Sequence, residues 1–330
     1  MVPARALTVA VLLLAGPTAS GKSALVAALS RRLKMEVVSV DTVQVYRGMD
    51  IGSAKPDAAE RARLPHHLVD IREPHETYSA AEFRADALRL IKEVQARGRM
   101  PALVGGAMFY FKALEDGLAK MPGADPDVRR AILREAQARG WPAMHEKLRA
   151  MDAKSAARIA PGDRQRIQRA LEVCIAGGKP MSALLEGEGE GGGAMPQPVI
   201  RLILAPARRA VLHQRIARRL DAMLAAGLVE ETRRLLARPG VSAASPAMRA
   251  VGYRQACAHL AGELSYTEMR DAAVAATRQL AKRQLTWLRR GRGRVWIDGE
   301  DAKNALALAA DYIHNVRPGA STKTTFKTTT

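Results

Sequence analysis

Aromatic residues make up only 4% of this 330-residue chain. So few rings exclude a protein that grips a long single strand by stacking successive bases on aromatic platforms. Cysteine is scarcer still, with Cys174 and Cys257 alone and far apart. With no CxxC pair, a structural zinc site and a disulfide framework are excluded, which suits a reducing cytosol. No hydrophobic run approaches the length that spans a bilayer. The apolar stretch Leu7 to Ala15 has no small-residue cleavage site and feeds a glycine-rich loop. It is therefore expected to be a buried strand and not a signal peptide. Acidic residues are in deficit, 33 against 52 Lys and Arg, for a net charge of +19. Such an excess points to a polyanionic partner, most simply nucleic acid; the alternative is an Arg-rich composition that serves solubility.

What is present is enough for a large core and a smaller second domain. The most informative stretch is Gly16-Pro17-Thr18-Ala19-Ser20-Gly21-Lys22-Ser23, which reads G-x-x-x-x-G-K-S after the first apolar run. A strand, a glycine-rich turn and a helix in that order form a phosphate cradle. Backbone N–H groups face the anion, Lys22 adds a point charge, Ser23 offers a hydroxyl to Mg²⁺, and the helix from Ala24 to Leu33 adds its positive end.

Further strands are expected at Glu36–Val40, His66–Ile71 and Pro101–Val104. A helix opens at Ser79 with the capping box Ser79/Glu82 and buries Phe83, Ala87, Leu90, Ile91 and Val94. The alternation predicts a parallel α/β sheet covered by helices on both faces. From about Asp125 to Gly178 only helical periodicity is present, followed by the glycine run 189–193, a flexible linker. Val199–Leu204 and Arg294–Ile297 return to the strand pattern, and Asp301–Ile313 to a helix. The expected organisation is a phosphate-loop core over 1–119, a helical insertion over 120–195, a second part of the core over 196–316 and a Thr/Lys-rich disordered tail over 317–330.

The phosphate loop alone does not separate kinase, NTPase and transferase. A hydrolase of this class needs a second acid holding Mg²⁺ after a very hydrophobic strand. Met100–Val104 ends in Gly105-Gly106 instead, which leaves Asp41, at the end of the second strand, available as a base. Basic residues cluster at Arg164, Arg166 and Arg169, at Arg208 to Arg219, and at Lys282 to Arg294. Each cluster alone suits a solvated helix face; three of them beside a phosphate loop suit a nucleic-acid track.

Eight segments in order resemble the tRNA dimethylallyltransferase family. They are GPTASGKS (16–23), DTVQVYRGMDIGSAKP (41–56), PHHLVDI (65–71), YSAAEFR (78–84), LVGGAMFYFKAL (103–114), RQRIQRALEV (164–173), AVGYRQ (250–255) and TRQLAKRQLTWLR (277–289). The resemblance implies a P-loop NTPase-like core with a helical insertion. It implies transfer of a dimethylallyl group from its diphosphate to N6 of adenosine 37 in tRNAs that read codons beginning with U, in a cytoplasmic monomer without a membrane partner. Gly16 to Ser23 would hold the diphosphate with Mg²⁺ on Ser23, and Arg129 and Arg215 would be additional clamps. Asp41 matches the family's base. The target adenine has to leave the anticodon stem-loop to reach the donor. Thr42, Val43 and Gln44 match the base-contacting loop, and Gln44 offers both a donor and an acceptor to a base edge. Gln165, Arg166, Ile167, Gln168 and Arg169 align with tRNA-contacting regions. So do Arg249, Gly252, Tyr253 and Arg254, and Lys282, Arg283, Gln284, Trp287 and Arg289. Trp287 suits either base stacking or helix packing. The cysteine count excludes the zinc finger that eukaryotic relatives often carry.

One departure bears on rate. The family's G-G-T is Gly105-Gly106-Ala107 here, so the hydroxyl placed near the bridging oxygen is missing. Loss of one transition-state donor costs about 10²–10³ in rate, unless Thr18, Ser20 or Ser53 brings a hydroxyl nearby. Thr42 for the usual Ser and Ser53 for the usual Thr both keep their hydroxyls. An adenylate isopentenyltransferase acting on a free nucleotide, a small-molecule kinase and a non-catalytic tRNA-binding protein remain open at this point.

Overall fold

A computed structural model of the chain describes residues 10–123, 125–186, 195, 198–291 and 293–315. The expectations for the glycine run 189–193 and for the tail from 317 lie outside these residues. Six strands form one sheet: β1 Val11–Ala15, β2 Met35–Val40, β3 His66–His67, β4 Met100–Gly105, β5 Val199–Ala205 and β6 Val295–Asp298. They lie in the order β3-β2-β4-β1-β5-β6, and every neighbouring pair is parallel. The helices in chain order are α1 Lys22–Ser30, α2 Ala58–Arg63, α3 Ala80–Ala96, α4 Met108–Asp116, α5 Pro126–Met151, α6 Ala153–Arg158, α7 Arg164–Gly177, α8 Met181–Glu186, α9 Arg209–Ala225, α10 Leu228–Leu236, α11 Tyr253–Leu260, α12 Tyr266–Leu288 and α13 Ala302–Asn315.

Parallel strands need both faces covered, so their residues run apolar without alternation. β1 is buried along its whole length. Its odd residues Val11, Leu13 and Ala15 join Val38, Val40, Leu103 and Ile203 beneath Phe83, Leu90 and Ile91 of α3. Its even residues Leu12 and Leu14 join Val37, Ala102, Leu202 and Leu204 beneath Leu25 and Leu29 of α1 and Ala305 and Ile313 of α13. Each fully buried Leu or Val contributes about 1.5–3 kcal/mol. The Ser79 capping box forms as the sequence predicts: Ser79 Oγ accepts the Glu82 N–H at 3.1 Å, and Glu82 Oε2 accepts the Ser79 N–H at 2.8 Å.

One strand is shorter than expected. The run 66–71 pairs with β2 only at His66 and His67. Leu68 and Asp70 then adopt left-handed backbone with φ of 61° and 58°, and the chain leaves the ladder to pair with another loop. Asp70 and Ile71 N–H groups donate to the carbonyls of Gln44 and Val45. The Asp70 carboxylate accepts from Lys55 Nζ at 2.6 Å and from Arg61 Nη1 at 2.8 Å.

The chain divides into two compact units, Met1–Leu114 with Met195–Thr330, and Glu115–Ala194. The second unit is helical. Its α5 breaks at Gly140, whose φ of 79° and ψ of 159° are not helical, just before Pro142. Ile132, Met144, Leu148, Ile167 and Leu171 form its core. The buried Asp152 accepts from Ser155 N, Ser182 N and Ser182 Oγ, bonds that hold its pKa at about 2 against the cost of burial.

At the start of β2, away from Asp41, the buried Glu36 accepts a two-point bond from Arg97 at 3.0 and 2.7 Å and lies 2.7 Å from His67 Nε2. The Arg97 bonds, opposed by burial and helped by His67, lower its pKa to about 2. A carboxylate with a depressed folded pKa stabilises fully above its unfolded value near 4.5 and loses that contribution as pH falls toward 2. Stability should therefore drop through this window, and Glu36→Gln should flatten the drop while lowering stability at neutral pH by about 2 kcal/mol. Urea unfolding of both proteins between pH 2 and 7 measures this, and parallel acid limbs would refute it.

Candidate active site

The phosphate loop sits between β1 and α1, where the chain must turn sharply. Gly21 has φ 98° and Ala19 φ 63°. Ala19 packs against the cluster of Leu212, Ile216 and Ala281. Lys22 Nζ donates to the carbonyls of Gly16 at 2.9 Å and Pro17 at 2.8 Å, and lies 3.5 Å from Ser20 Oγ. Ser20 is buried and its N–H donates to Pro17 O. Among the described residues the N–H groups of Ala19 and Gly21 have no hydrogen-bond partner, and those of Lys22, Ser23 and Ala24 head α1, where a helix cannot satisfy them. Ser23 is exposed. Five converging donors are a ready anion site.

The electrostatics point the same way. Burial, then the neighbouring Arg219 charge, lower the Lys22 pKa to about 7, with Asp41 opposing. Burial likewise lowers Arg219, again opposed by Asp41. Lys22, Arg219 and Asp41 thus share one field at the carboxyl ends of β1 and β2, where ligands bind in open α/β sheets. The sequence places Arg219 only in the basic cluster from Arg208 to Arg219 and gives it no part in holding the diphosphate. It lies one helical turn beyond Arg215 on α9, so the i, i+4 spacing was the available signal.

Asp41 is both a cap and a free carboxylate. Its Oδ1 accepts from Val43 N at 2.8 Å and Gln44 N at 3.3 Å, which fixes the start of the loop. Among the described residues Oδ2 has no hydrogen-bond partner and can accept a proton. Ala107 lies beside it: the N–H groups of Gly106 and Ala107 both donate to Val40 O at 3.1 Å. A Cβ at Gly105 would lie 1.9 Å from that carbonyl, so only glycine permits the approach. With its N–H committed and no hydroxyl, Ala107 has no donor to offer a ligand.

Several residues expected at the ligand are instead structural. The Gln44 amide accepts from Ser39 Oγ at 2.8 Å and donates to Ser53 O and Ala54 O at 3.4 and 3.2 Å, so it closes its own loop and does not present an edge to a base. Ser53 Oγ donates to Met49 O and is buried, which removes it as a substitute hydroxyl. Tyr253 is fully buried, and its OH donates to Glu231 Oε1 at 2.6 Å. Glu231 also accepts the N–H groups of Asp50, Ile51 and Gly52. Gly252 is buried with φ 95°, its N–H on Gln255 Oε1. Gln284 is buried between two loops: Oε1 accepts Thr18 N at 3.0 Å and Nε2 donates to Gly106 O at 2.8 Å. Trp287 packs on the core, with the Arg294 guanidinium 5.6 Å from its ring centre. Lys55, unnoticed in the sequence, is a second hub. Its side chain is 2% exposed and donates to Tyr46 O, Asp50 Oδ1 and Asp70 Oδ1.

The two clamp candidates are both engaged by the protein's own groups. Arg215 donates to Gly299 O at 2.7 Å and Glu300 O at 3.2 Å. It lines a cavity of about 250 Å³ with Ala19, Gly21, Leu204 and Gly299, which neither Lys22 nor Asp41 lines. Arg129, in the helical unit, is bound to the buried Glu172 at 2.7 and 3.1 Å. Gln168 and Arg169 turn toward the same carboxylate, and Ile167 is buried in that unit's core, so it offers RNA no side chain. Gln165, Arg166, Thr42, Arg249, Arg254, Lys282, Arg283 and Arg289 are exposed, and Val43 is half-buried.

Sheet order, phosphate loop and facing carboxylate define a phosphate-gripping α/β protein of the P-loop class. The model of the IPP transferase family matches residues 44–291. A tRNA dimethylallyltransferase of Bordetella pertussis is 57% identical over 309 residues, 94% of this chain and 98% of its own length. One from Paraburkholderia phymatum is 54% identical over 307 residues, covering 93% and 96%. The crystal structure of the full-length tRNA isopentenylpyrophosphate transferase of Bacillus halodurans matches with a TM-score of 0.66 and 34% identity, covering 93% of this chain and 97% of that one. A eukaryotic dimethylallyltransferase acting on tRNA, at 24% identity and a TM-score of 0.77, shares the fold. This chain belongs to the IPP transferase family.

If the Tyr253 hydroxyl serves Glu231 and not a ligand, Tyr253→Phe lowers the free energy of unfolding by about 1–2 kcal/mol. Urea titration checks this, and an unchanged midpoint would show that the phenol does not hold the loop.

Proposed function

We propose that the protein transfers the dimethylallyl group of dimethylallyl diphosphate to N6 of adenosine 37 in tRNAs that read codons beginning with U. The observation that carries this reading is the shared field of Lys22, Arg219 and Asp41: a cationic cradle with a free carboxylate oxygen opposite it. A kinase can use such a cradle and a carboxylate base as well, so family membership is what separates the two readings. Family membership and close relatives named as tRNA dimethylallyltransferases agree with the same choice.

In this mechanism the allylic C–O bond breaks and diphosphate leaves. The N6 nitrogen forms the new C–N bond at the freed carbon, and its proton passes to Asp41 Oδ2. N6 is a weak nucleophile because its lone pair is delocalised into the ring, so proton removal has to accompany bond formation. Lys22, Arg219 and the N–H groups of Ala19, Gly21, Lys22, Ser23 and Ala24 stabilise the charge that develops on diphosphate. Because Lys22 sits near its pKa of about 7, an arriving dianion favours its protonated form. Ser23, exposed and without a described hydrogen-bond partner, is the residue that would hold Mg²⁺ at this loop. Among the described residues no cluster of three His, Cys, Asp or Glu could form a cage of its own. When bound, Mg²⁺ supplies further neutralisation of the leaving group.

The exposed Arg249, Arg254, Lys282, Arg283 and Arg289 of the core, and Gln165 and Arg166 of the helical unit, contact the anticodon stem-loop. The protein acts as a cytoplasmic monomer. Its two cysteines are buried thiols, and no described helix is long and apolar enough to cross a membrane.

The decisive experiment incubates the protein with dimethylallyl diphosphate, Mg²⁺ and either tRNA or AMP, and looks for N6-prenyl adenosine by mass. Product on tRNA alone is expected. Product on AMP supports a free-nucleotide prenyltransferase, phosphate release from ATP supports a kinase, and binding without product supports an RNA-binding protein. Asp41→Asn should lower the single-turnover rate by about 10²–10⁴ with little change in stem-loop affinity. An unaffected rate would remove Asp41 as the base.

Ala107→Thr places a hydroxyl just after β4, beside the end of β2, and should raise the single-turnover rate by about tenfold or more, at nearly constant tRNA affinity. A rate that stays level or falls would show that the chain works without that donor.

A further inference from the structure

Lys282 to Arg289 aligns with a tRNA-contacting run, yet the buried side chain in its middle faces the other way. On α12 the buried residues are Met269, Ala273, Val274, Ala281, Gln284 and Leu288. Gln284 is the one amide in an otherwise apolar contact face, while Lys282, Arg283 and Arg289 are exposed. Its two ends join segments that are 266 and 178 residues away, the Thr18 N–H at 3.0 Å and the Gly106 carbonyl at 2.8 Å.

We propose that Gln284 is a positioning residue for the prenyl donor: it sets the phosphate loop against the Gly105–Gly106–Ala107 turn and takes no part in holding RNA. The assignment rests on the functional reading above and adds to it. The chemistry of the contact is specific. A neutral amide has one accepting and one donating end in a side chain of this length, and the two loops present one donor and one acceptor. The fit is close on the turn side, where a Cβ on Gly106 would lie 2.5 Å from Nε2 and 3.4 Å from the Gly16 carbonyl. The two glycine-rich turns therefore meet across the amide. Thr18 N–H belongs to the phosphate loop but points into the protein, so the loop's curvature follows α12. Gly106 precedes Ala107, which stands beside Asp41 at the end of β2. One amide thus fixes the spacing between the diphosphate cradle and the base.

The test compares Gln284→Leu, which deletes both bonds, with Gln284→Glu, whose carboxylate cannot donate to the Gly106 carbonyl but whose protonated form can. The probes are Mg²⁺-diphosphate for the donor site and a synthetic anticodon stem-loop with unmodified adenosine 37. Gln284→Leu should weaken diphosphate binding and kcat/KM for dimethylallyl diphosphate by about tenfold or more each, with stem-loop affinity within about threefold of wild type. Burial opposite a carbonyl raises the carboxyl pKa of the Glu variant. That variant should therefore behave like Leu at pH 8 and recover toward wild type at pH 6. Values are taken relative to wild type at each pH, which removes the titration of Lys22, Asp41, Arg219 and the outward-facing Lys282 and Arg283. Stem-loop affinity lost with diphosphate binding intact overturns the proposal, and so does a Glu variant equally impaired at both pH values. Should the Leu variant fail to fold, the pH response of the Glu variant decides. A wild type that binds diphosphate but forms no prenylated RNA sinks the functional reading, while the diphosphate affinities of the variants still judge Gln284.

Discussion

The site depends on the cost of burying two cations, Lys22 and Arg219, in one corner beside Asp41. Burial disfavours the charge on both groups, and Arg219 lowers the Lys22 pKa further. Protein carbonyls from Gly16 and Pro17 and the charge of Asp41 offset part of the cost. An anion with several negative oxygens relieves the rest, because it meets two positive charges and five N–H groups in a region where water screens poorly. Folding and ligand binding are opposed here, as functional sites often require. The sheet makes this tolerable by burying β1 and β2 completely on either side.

Around that corner the loops are shaped by polar side chains that are themselves buried. Glu231 gathers three consecutive backbone N–H groups and a phenol on one carboxylate. Gln44 holds its loop from within, and Lys55 holds the same loop to Asp50 and Asp70. Buried polar groups of this kind are costly if unpaired, so a fully paired set specifies one conformation. The motif 41–56 is thus rich in polar residues for two separate reasons. Asp41 presents a free oxygen to chemistry, whereas Gln44, Ser53 and Lys55 build the platform that aims it.

Much of this was legible in the sequence because local rules governed it. The strand–loop–helix pattern placed residues 16 to 23, the Ser79/Glu82 pair placed α3, and the acid at the end of β2 placed Asp41. The resemblance to a family supplied what spacing could not, the acceptor and the prenyl group. What failed was the step from a motif to the direction of a side chain. Gln44, Tyr253 and Gln284 belong to segments of the right kind, but Gln44 turns back on its own loop, and the partners of Tyr253 and Gln284, up to 266 residues away, are set by tertiary packing. Arg219 was legible only as one member of a basic cluster: one turn of helix separates it from Arg215, and the packing of α9 brings it to Lys22. The break of β3 after His67 was equally hidden, because Asp70 turns away in response to Lys55 and Arg61.

Gln284 and Glu231 also bear on how the protein is made. The amides at Thr18 and at 50–52 emerge early from the ribosome, but the side chains that complete them are translated 266 and about 180 residues later. An early sheet formed from β1 to β4 would carry a glycine-rich loop with no brace and the Asp41 carboxylate on an unanchored segment. Prematurely terminated chains should therefore be inert toward both substrates, and vectorial synthesis keeps chemistry silent until the last long helix docks.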